Sequence, residues 1–143
     1  MTEKQIRFWN RVTAAAVFCI GLMTYGLTVE PTASFWDAGE YIATSAKLQV
    51  GHPPGAPFFQ MMGAFFALFA SGPESTALMV NLMSVFSSAF CLLFLYLSNT
   101  LLLKKLPAFQ AIKTNGAAVA YFGSAAVGAL AFCFSDSFWL NAV

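Results

Sequence analysis

Three stretches without a charged residue, from Arg11 to Glu30, from Glu74 to Lys104 and from Lys113 to Asp136, constrain this chain more than any motif in it. Each reaches or approaches the roughly 20 apolar residues that an α-helix needs to cross a bilayer. Inside hydrocarbon a single segment can satisfy its backbone polar groups only by coiling into such a helix. With 59% of its residues hydrophobic and 9% charged, the chain reads as an all-α integral membrane helical bundle. The predicted transmembrane helices cover about 12–29, 78–103 and 116–135, with an external segment over 30–76.

A fourth apolar run, Phe58 to Ala70, is bounded by Pro57 and by Ser71-Gly72-Pro73. Its length of about 13 residues suits a short re-entrant or interfacial helix and not a span. Charge placement agrees, because lysines and arginines beside spans accumulate on the cytoplasmic side. With Lys4, Arg7 and Arg11 inside, the first span exits, residues 30–76 stay outside, and the second span returns Lys104 and Lys105 to the inside. No cleavage signature follows the first apolar run, which reads as an uncleaved signal-anchor. Cys19, Cys91 and Cys133 each fall inside a span and read as small packing residues. Asn81, Ser84, Ser88 and Cys91 form a small, polar stripe on the second span. Gly116, Ala120, Ser124 and Gly128 form a small-xxx-small face on the third, and both patterns read as helix contacts. Asn81, an amide near the outer end of its span, is also placed to hydrogen-bond a polar ligand.

Chemistry concentrates in the external segment. An amphipathic helix is predicted from Ser34, as N-cap, to about Gln49. At 3.6 residues per turn, Asp37, Glu40, Thr44 and Lys47 share an arc of about 80 degrees. Trp36, Ile42, Ala43, Ala46 and Val50 lie opposite, as in a helix resting on a membrane or on the bundle. Such a polar stripe is as readily a solvated face as a site. Helices that merely rest on lipid favour lysine and arginine on that face, however, whereas this one opens with two acids close to its N-terminal dipole. Asp37 is the better candidate for a general base, and Glu40 is placed to support it, to bind a cation or to face Lys47. Beyond the helix, Pro53 and Pro54 hold His52, the single histidine, in non-helical backbone and turn it back towards the acids.

The blocks Phe35-Trp36-Asp37-Ala38-Gly39-Glu40-Tyr41-Ile42-Ala43 and Val50-Gly51-His52-Pro53-Pro54-Gly55-Ala56-Pro57, with their spacing and the hydropathy layout, resemble the start of the protein O-mannosyltransferases and the wider GT-C membrane glycosyltransferases. They resemble more closely a bacterial family, formerly of unknown function, related to those enzymes. The resemblance implies the N-terminal part of a GT-C-like fold in a bacterial inner membrane. It implies transfer of a sugar such as mannose from a polyprenyl-phosphate donor to an acceptor hydroxyl, of protein Ser/Thr or of a glycan, on the extracytoplasmic face. Asp37 would be the catalytic base, assisted by Glu40, while His52, Pro53 and Pro54 would shape the substrate site. Where O-mannosyltransferases carry an arginine near the outer end of the second span this chain has Asn81, so Lys47 is the nearest cation in the stretch. No metal ligand set is assigned, and a divalent metal is left open as a cofactor. Membrane lipid is an expected partner and nucleic acid is not.

Families of this kind carry many more spans, so the chain is expected to be a piece of a longer enzyme, inactive by itself. Two other classes compete. One is a small membrane scaffold or accessory subunit whose external loop binds a partner protein. The other is part of a cation transporter, for which acids are expected within spans, where none lies here.

Overall fold

The computed structural model describes every residue except Phe35. Among the described residues the regular elements are all helical: α1 (Glu3–Thr28), α2 (Ala38–Lys47), α3 (Pro57–Ala67), α4 (Pro73–Leu103), a 3-10 turn (Pro107–Phe109), α5 (Asn115–Cys133) and α6 (Asp136–Ala142). The helices α1, α4 and α5 are each long and apolar enough to cross a membrane. The fold is thus the expected all-α architecture of an integral membrane protein.

The three long helices start ahead of their hydropathy limits because caps, and not lipid, set the starts. The backbone N–H of Thr2 donates to Gln5 Oε1 at 2.9 Å, and the N–H of Gln5 donates back to Thr2 Oγ1 at 3.3 Å. This reciprocal capping box starts α1 well before Val12. Glu3 and Arg7 add an i,i+4 ion pair at 3.3 Å on the first turns. At α5, Thr114 takes the N-cap and accepts from the N–H of Ala117 at 3.2 Å.

The chain forms two compact units, one from Met1–Thr24 with Ser88–Asn141, the other from Tyr25–Ser87 with Ala142–Val143. In the first unit, Ala14, Val17 and Gly21 make the buried stripe of α1, and Ala89, Leu92, Tyr96 and Thr100 that of α4. A Cβ added to Gly21 would lie 2.5 Å from Leu92 Cδ1, so the absence of a side chain lets the two helices approach. Close packing of this kind is what holds helices together where lipid removes the hydrophobic drive. The polar tips are satisfied: Tyr121 Oη donates to the Thr100 carbonyl at 2.6 Å and Tyr96 Oη to Asn10 Oδ1 at 3.1 Å.

The expected contact face of α5 is turned outward. Gly116, Ala120, Ser124 and Gly128 are exposed, whereas Ala118, Tyr121, Phe122, Ala125, Ala129 and Cys133 are buried. Two large aromatic side chains, one with a hydroxyl that needs a partner, gain more from burial than the small stripe does. They rotate the helix, and Ala125 and Ala129 supply the flat surface instead. Gly128 still flanks the contact, since a Cβ there would lie 3.0 Å from Asn99 Nδ2.

In the second unit α2 packs against α3 through small and polar residues. Thr44 and Ser45 of α2, and Gln60 and Gly63 of α3, are buried. A Cβ on Gly63 would lie 2.6 Å from Ser45 Oγ and 3.5 Å from Val80 Cγ1. Tyr41 and Phe59 close the helix pair edge-to-face at 5.2 Å between ring centroids. With 11 residues, α3 is about 16 Å long, about half the thickness of a bilayer core. It is the expected short helix, and it exposes Phe58, Met61, Phe65 and Leu68 along one side.

Three details of α2 differ from expectation. The helix starts at Ala38 with Asp37 as its N-cap, not at Ser34. The cause is Trp36, whose φ of 61 is left-handed and cannot continue a helix. As a result Trp36 stands outside the helix, 98% exposed, instead of on its apolar face. Finally, α2 buries Thr44 of the expected polar stripe together with Ser45, while Asp37 and Lys47 stay exposed, as do Ala43, Ala46 and Val50. The surface offered by α3 around Gly63 admits only short side chains, so Ser45 and Thr44 fill it.

Candidate active site

Asp37, Glu40 and His52 come together at the start of α2. The site begins with the N-cap: Asp37 makes no side-chain capping hydrogen bond, so its carboxylate is not spent on the helix. Glu40 lies one turn on, where an acid commonly reaches back to close a capping box. Here it turns instead to the loop after α2. One of its oxygens, Oε1, accepts the backbone N–H of His52 at 2.7 Å, and the other, Oε2, lies 2.7 Å from His52 Nδ1. The second ring nitrogen, Nε2, stands 3.9 Å from Asp37 Oδ2, beyond direct hydrogen-bond range.

The loop that delivers the imidazole is a tight turn. The N–H of Gly55 donates to the His52 carbonyl at 2.9 Å, across Pro53 and Pro54, whose peptide bond is cis. The two prolines form the corner of this turn. On the buried side, Gln60 Nε2 donates to Thr44 Oγ1 at 3.2 Å, and Thr44 Oγ1 donates to the Glu40 carbonyl at 2.8 Å. Gly51 closes the arrangement: a Cβ there would fall 3.1 Å from Glu40 Oε1 and 3.2 Å from Gln60 Nε2. Gln60 and Gly51 are the supporting residues that pattern reading passed over. A lone amide in the Phe- and Met-rich sequence of α3 was the available signal.

The electrostatics follow from this clamp. The His52 backbone N–H, and then its ring N–H, hold Glu40 below the usual carboxylate value. The hydrogen bond to Glu40, and then its charge and that of Asp37, raise His52 above the usual imidazole value. All three side chains remain solvent-accessible, which screens these effects.

The other expected site residues lie differently. Asn81 directs its amide N–H groups to the carbonyls of Glu30 and Thr32, at 2.8 and 2.9 Å, and so ties the loop after α1 to α4. The donors that a phosphate would need are committed to backbone. Lys47 is exposed in the last turn of α2, and Glu40 pairs with His52 in its place. Ligand atoms of Asp37, Glu40 and His52 lie within 4.8 Å of one another. As the side chains stand, the hydrogen bond between Glu40 Oε2 and His52 Nδ1 joins two of the three into an acid–base pair, with Asp37 beside them. A hollow of about 500 Å³ belongs to the first unit and is lined by residues such as Trp9, Thr13, Val119 and Phe122. It lacks the carboxylate and imidazole on which the candidate chemistry depends.

Three membrane-length helices with an acid–imidazole cluster on a connecting segment define a helical integral membrane protein carrying a candidate acid–base site. The chain belongs to the family of the protein O-mannosyl-transferase TMEM260 N-terminal domain, whose model matches residues 37–143. A curated relative, the protein O-mannosyl-transferase tmem260 of Dictyostelium discoideum, is 29% identical over 105 residues. That match covers 68% of this chain and 13% of the relative. No solved structure gives a significant match.

Proposed function

We propose that this chain is part of a membrane glycosyltransferase that passes a sugar such as mannose from a polyprenyl-phosphate donor to an acceptor hydroxyl, protein Ser/Thr included, on the extracytoplasmic face. The observation that carries this reading is the uncapped Asp37 carboxylate, held at the head of α2 beside a clamped imidazole. Membership of an O-mannosyl-transferase family supports it further.

In the proposed reaction the acceptor oxygen attacks the anomeric carbon. Its O–H proton passes to Asp37 as the new carbon–oxygen bond forms. The bond between the anomeric carbon and the phosphate oxygen breaks, and its electron pair leaves with the polyprenyl phosphate. A hydroxyl is a weak nucleophile at its own pKa, so a positioned proton acceptor is the group this chemistry needs most. The exposed stripe of Phe58, Met61, Phe65 and Leu68 on α3 provides an apolar surface in the same unit suited to lipid. Lys47 is the cation of α2 proposed to meet the phosphate.

The test is Asp37→Asn in the full-length protein. Transfer is expected to fall by roughly 10²- to 10⁴-fold, the usual worth of a general base, with unchanged membrane insertion. Undiminished transfer would reject Asp37 as the base.

A further inference from the structure

We propose that Glu40 is a positioning residue: it fixes His52 as the Nδ1–H tautomer, so that the bare Nε2 and the Asp37 carboxylate face one another as paired acceptors for the proton of one incoming hydroxyl. The argument starts from donor and acceptor accounting. An ionised glutamate only accepts hydrogen bonds. Both of its oxygens are occupied by groups of one residue, the backbone N–H of His52 and its ring Nδ1, each at 2.7 Å. Nδ1 must therefore be the protonated nitrogen, and in the neutral ring Nε2 is then left with a lone pair.

That lone pair is 3.9 Å from Asp37 Oδ2, too far for the two to share a proton directly and too near for either to ignore the other. A hydroxyl brought to this gap finds an acceptor on either side. The charged groups facing His52 are Glu40 and Asp37, both from the head of α2. From α3 the nearby polar group is the amide of Gln60, which carries no charge. The clamp itself is built to close tolerance, as the room left by Gly51 indicates.

The use of the paired acceptors rests on the glycosyl-transfer reading, but the tautomer does not, and the two can fail separately. His52 is the only histidine, so protein labelled with ¹⁵N in the imidazole gives the signals of one ring. In the 143-residue chain in detergent, at a pH above the titration of the ring, Nδ1 is expected to carry the proton and Nε2 to be bare. In Glu40→Gln a single acceptor oxygen must serve two donors. With that oxygen on the backbone N–H, the amide NH₂ meets the ring, and the tautomer is expected to invert to Nε2–H. Asp37→Asn should leave it unchanged. Gly51→Ala, which crowds the clamp without altering either partner, should shift the population in the direction of Glu40→Gln. A wild-type spectrum dominated by Nε2–H, or the same tautomer in wild type and Glu40→Gln, would overturn the proposal. The wild-type spectrum decides even if a variant fails to fold. If the tautomer is as expected but Asp37→Asn leaves transfer intact in the full-length protein, the clamp stands and the glycosyl-transfer role falls.

Discussion

At the scale of single residues, the link between Glu40 and His52 sets a pH window. His52 is raised from its ordinary 6.5 by Glu40. Its contribution is therefore fully present below the ordinary value and is lost as pH rises through the raised one. Glu40 is lowered from its ordinary 4.5, chiefly by the backbone N–H of His52. Its contribution is present above the ordinary value and is lost as pH falls through the lowered one. Both are complete between 4.5 and 6.5. Hydrogen exchange at the His52 amide, which donates to Glu40, should show its greatest protection in that interval and less on either side. Protection that does not vary with pH would contradict the clamp. The spacing of Asp37 and Glu40, with Pro-Pro after His52, made the meeting of these groups legible from sequence. Which acid takes the imidazole was not legible. That choice depends on Trp36 delaying the helix start and on the space beside Gly51, and periodicity encodes neither.

At the scale of elements, the contact between α2 and α3 is the part most sensitive to volume. The place where a Gly63 Cβ would sit is 2.8 Å from Ser45 Cβ as well as 2.6 Å from its hydroxyl, so a rotamer change of Ser45 cannot clear it. Gly63→Ala should therefore force the helices apart and cost about 1–3 kcal/mol, the usual penalty of overpacking. Ser45 Oγ is buried without a hydrogen-bond partner. Ser45→Ala should be neutral or stabilising, by up to about 1 kcal/mol, because it removes an unsatisfied hydroxyl. Thermal unfolding in detergent checks both, and a stabilising Gly63→Ala would show that the contact is looser than described. Sequence pattern did not single out Thr44 and Ser45 as the buried residues of α2, for the same physical reason. Amphipathicity ranks side chains by polarity, but a surface as close as α3 at Gly63 selects by size. The outward small stripe of α5 is the converse case, where Tyr121 and Phe122 prevail by bulk.

At the scale of the whole molecule, bilayer thickness is what made the number of spans legible, because about 30 Å of hydrocarbon admits few solutions. The helix limits were less so, since capping groups such as Thr2 and Thr114 lie outside the apolar runs. The same arithmetic predicts topology. If α3, at 11 residues, does not cross, α1 and α4 are consecutive spans. Residues before α1 and between α4 and α5 then share one side, and the segment from the end of α1 to the start of α4 lies on the other. The lysines and arginines agree: Lys4, Arg7 and Arg11, in the N-terminal turns of α1, flank the same side as Lys104, Lys105 and Lys113, the side that positive charge prefers. The check uses Ser71→Cys and Gln110→Cys in a background where Cys19, Cys91 and Cys133 are alanine. An impermeant maleimide should label position 71 in intact cells and position 110 only after permeabilisation. Labelling of position 110 and not of position 71 in intact cells would reverse the two faces, as crossing by α3 requires when α1 runs outward. The cluster of Asp37, Glu40 and His52 would then be separated by a membrane from Ser71, and the lysines after α4 would face outward. Because α2 and its loop precede α3, the external position of the acids depends on the direction in which α1 crosses, and labelling at position 71 reports that direction only if α3 stays on one side. A third position, Gln49→Cys, which lies between α2 and α3, separates the two cases: it is labelled from the same side as position 71 only if α3 does not cross.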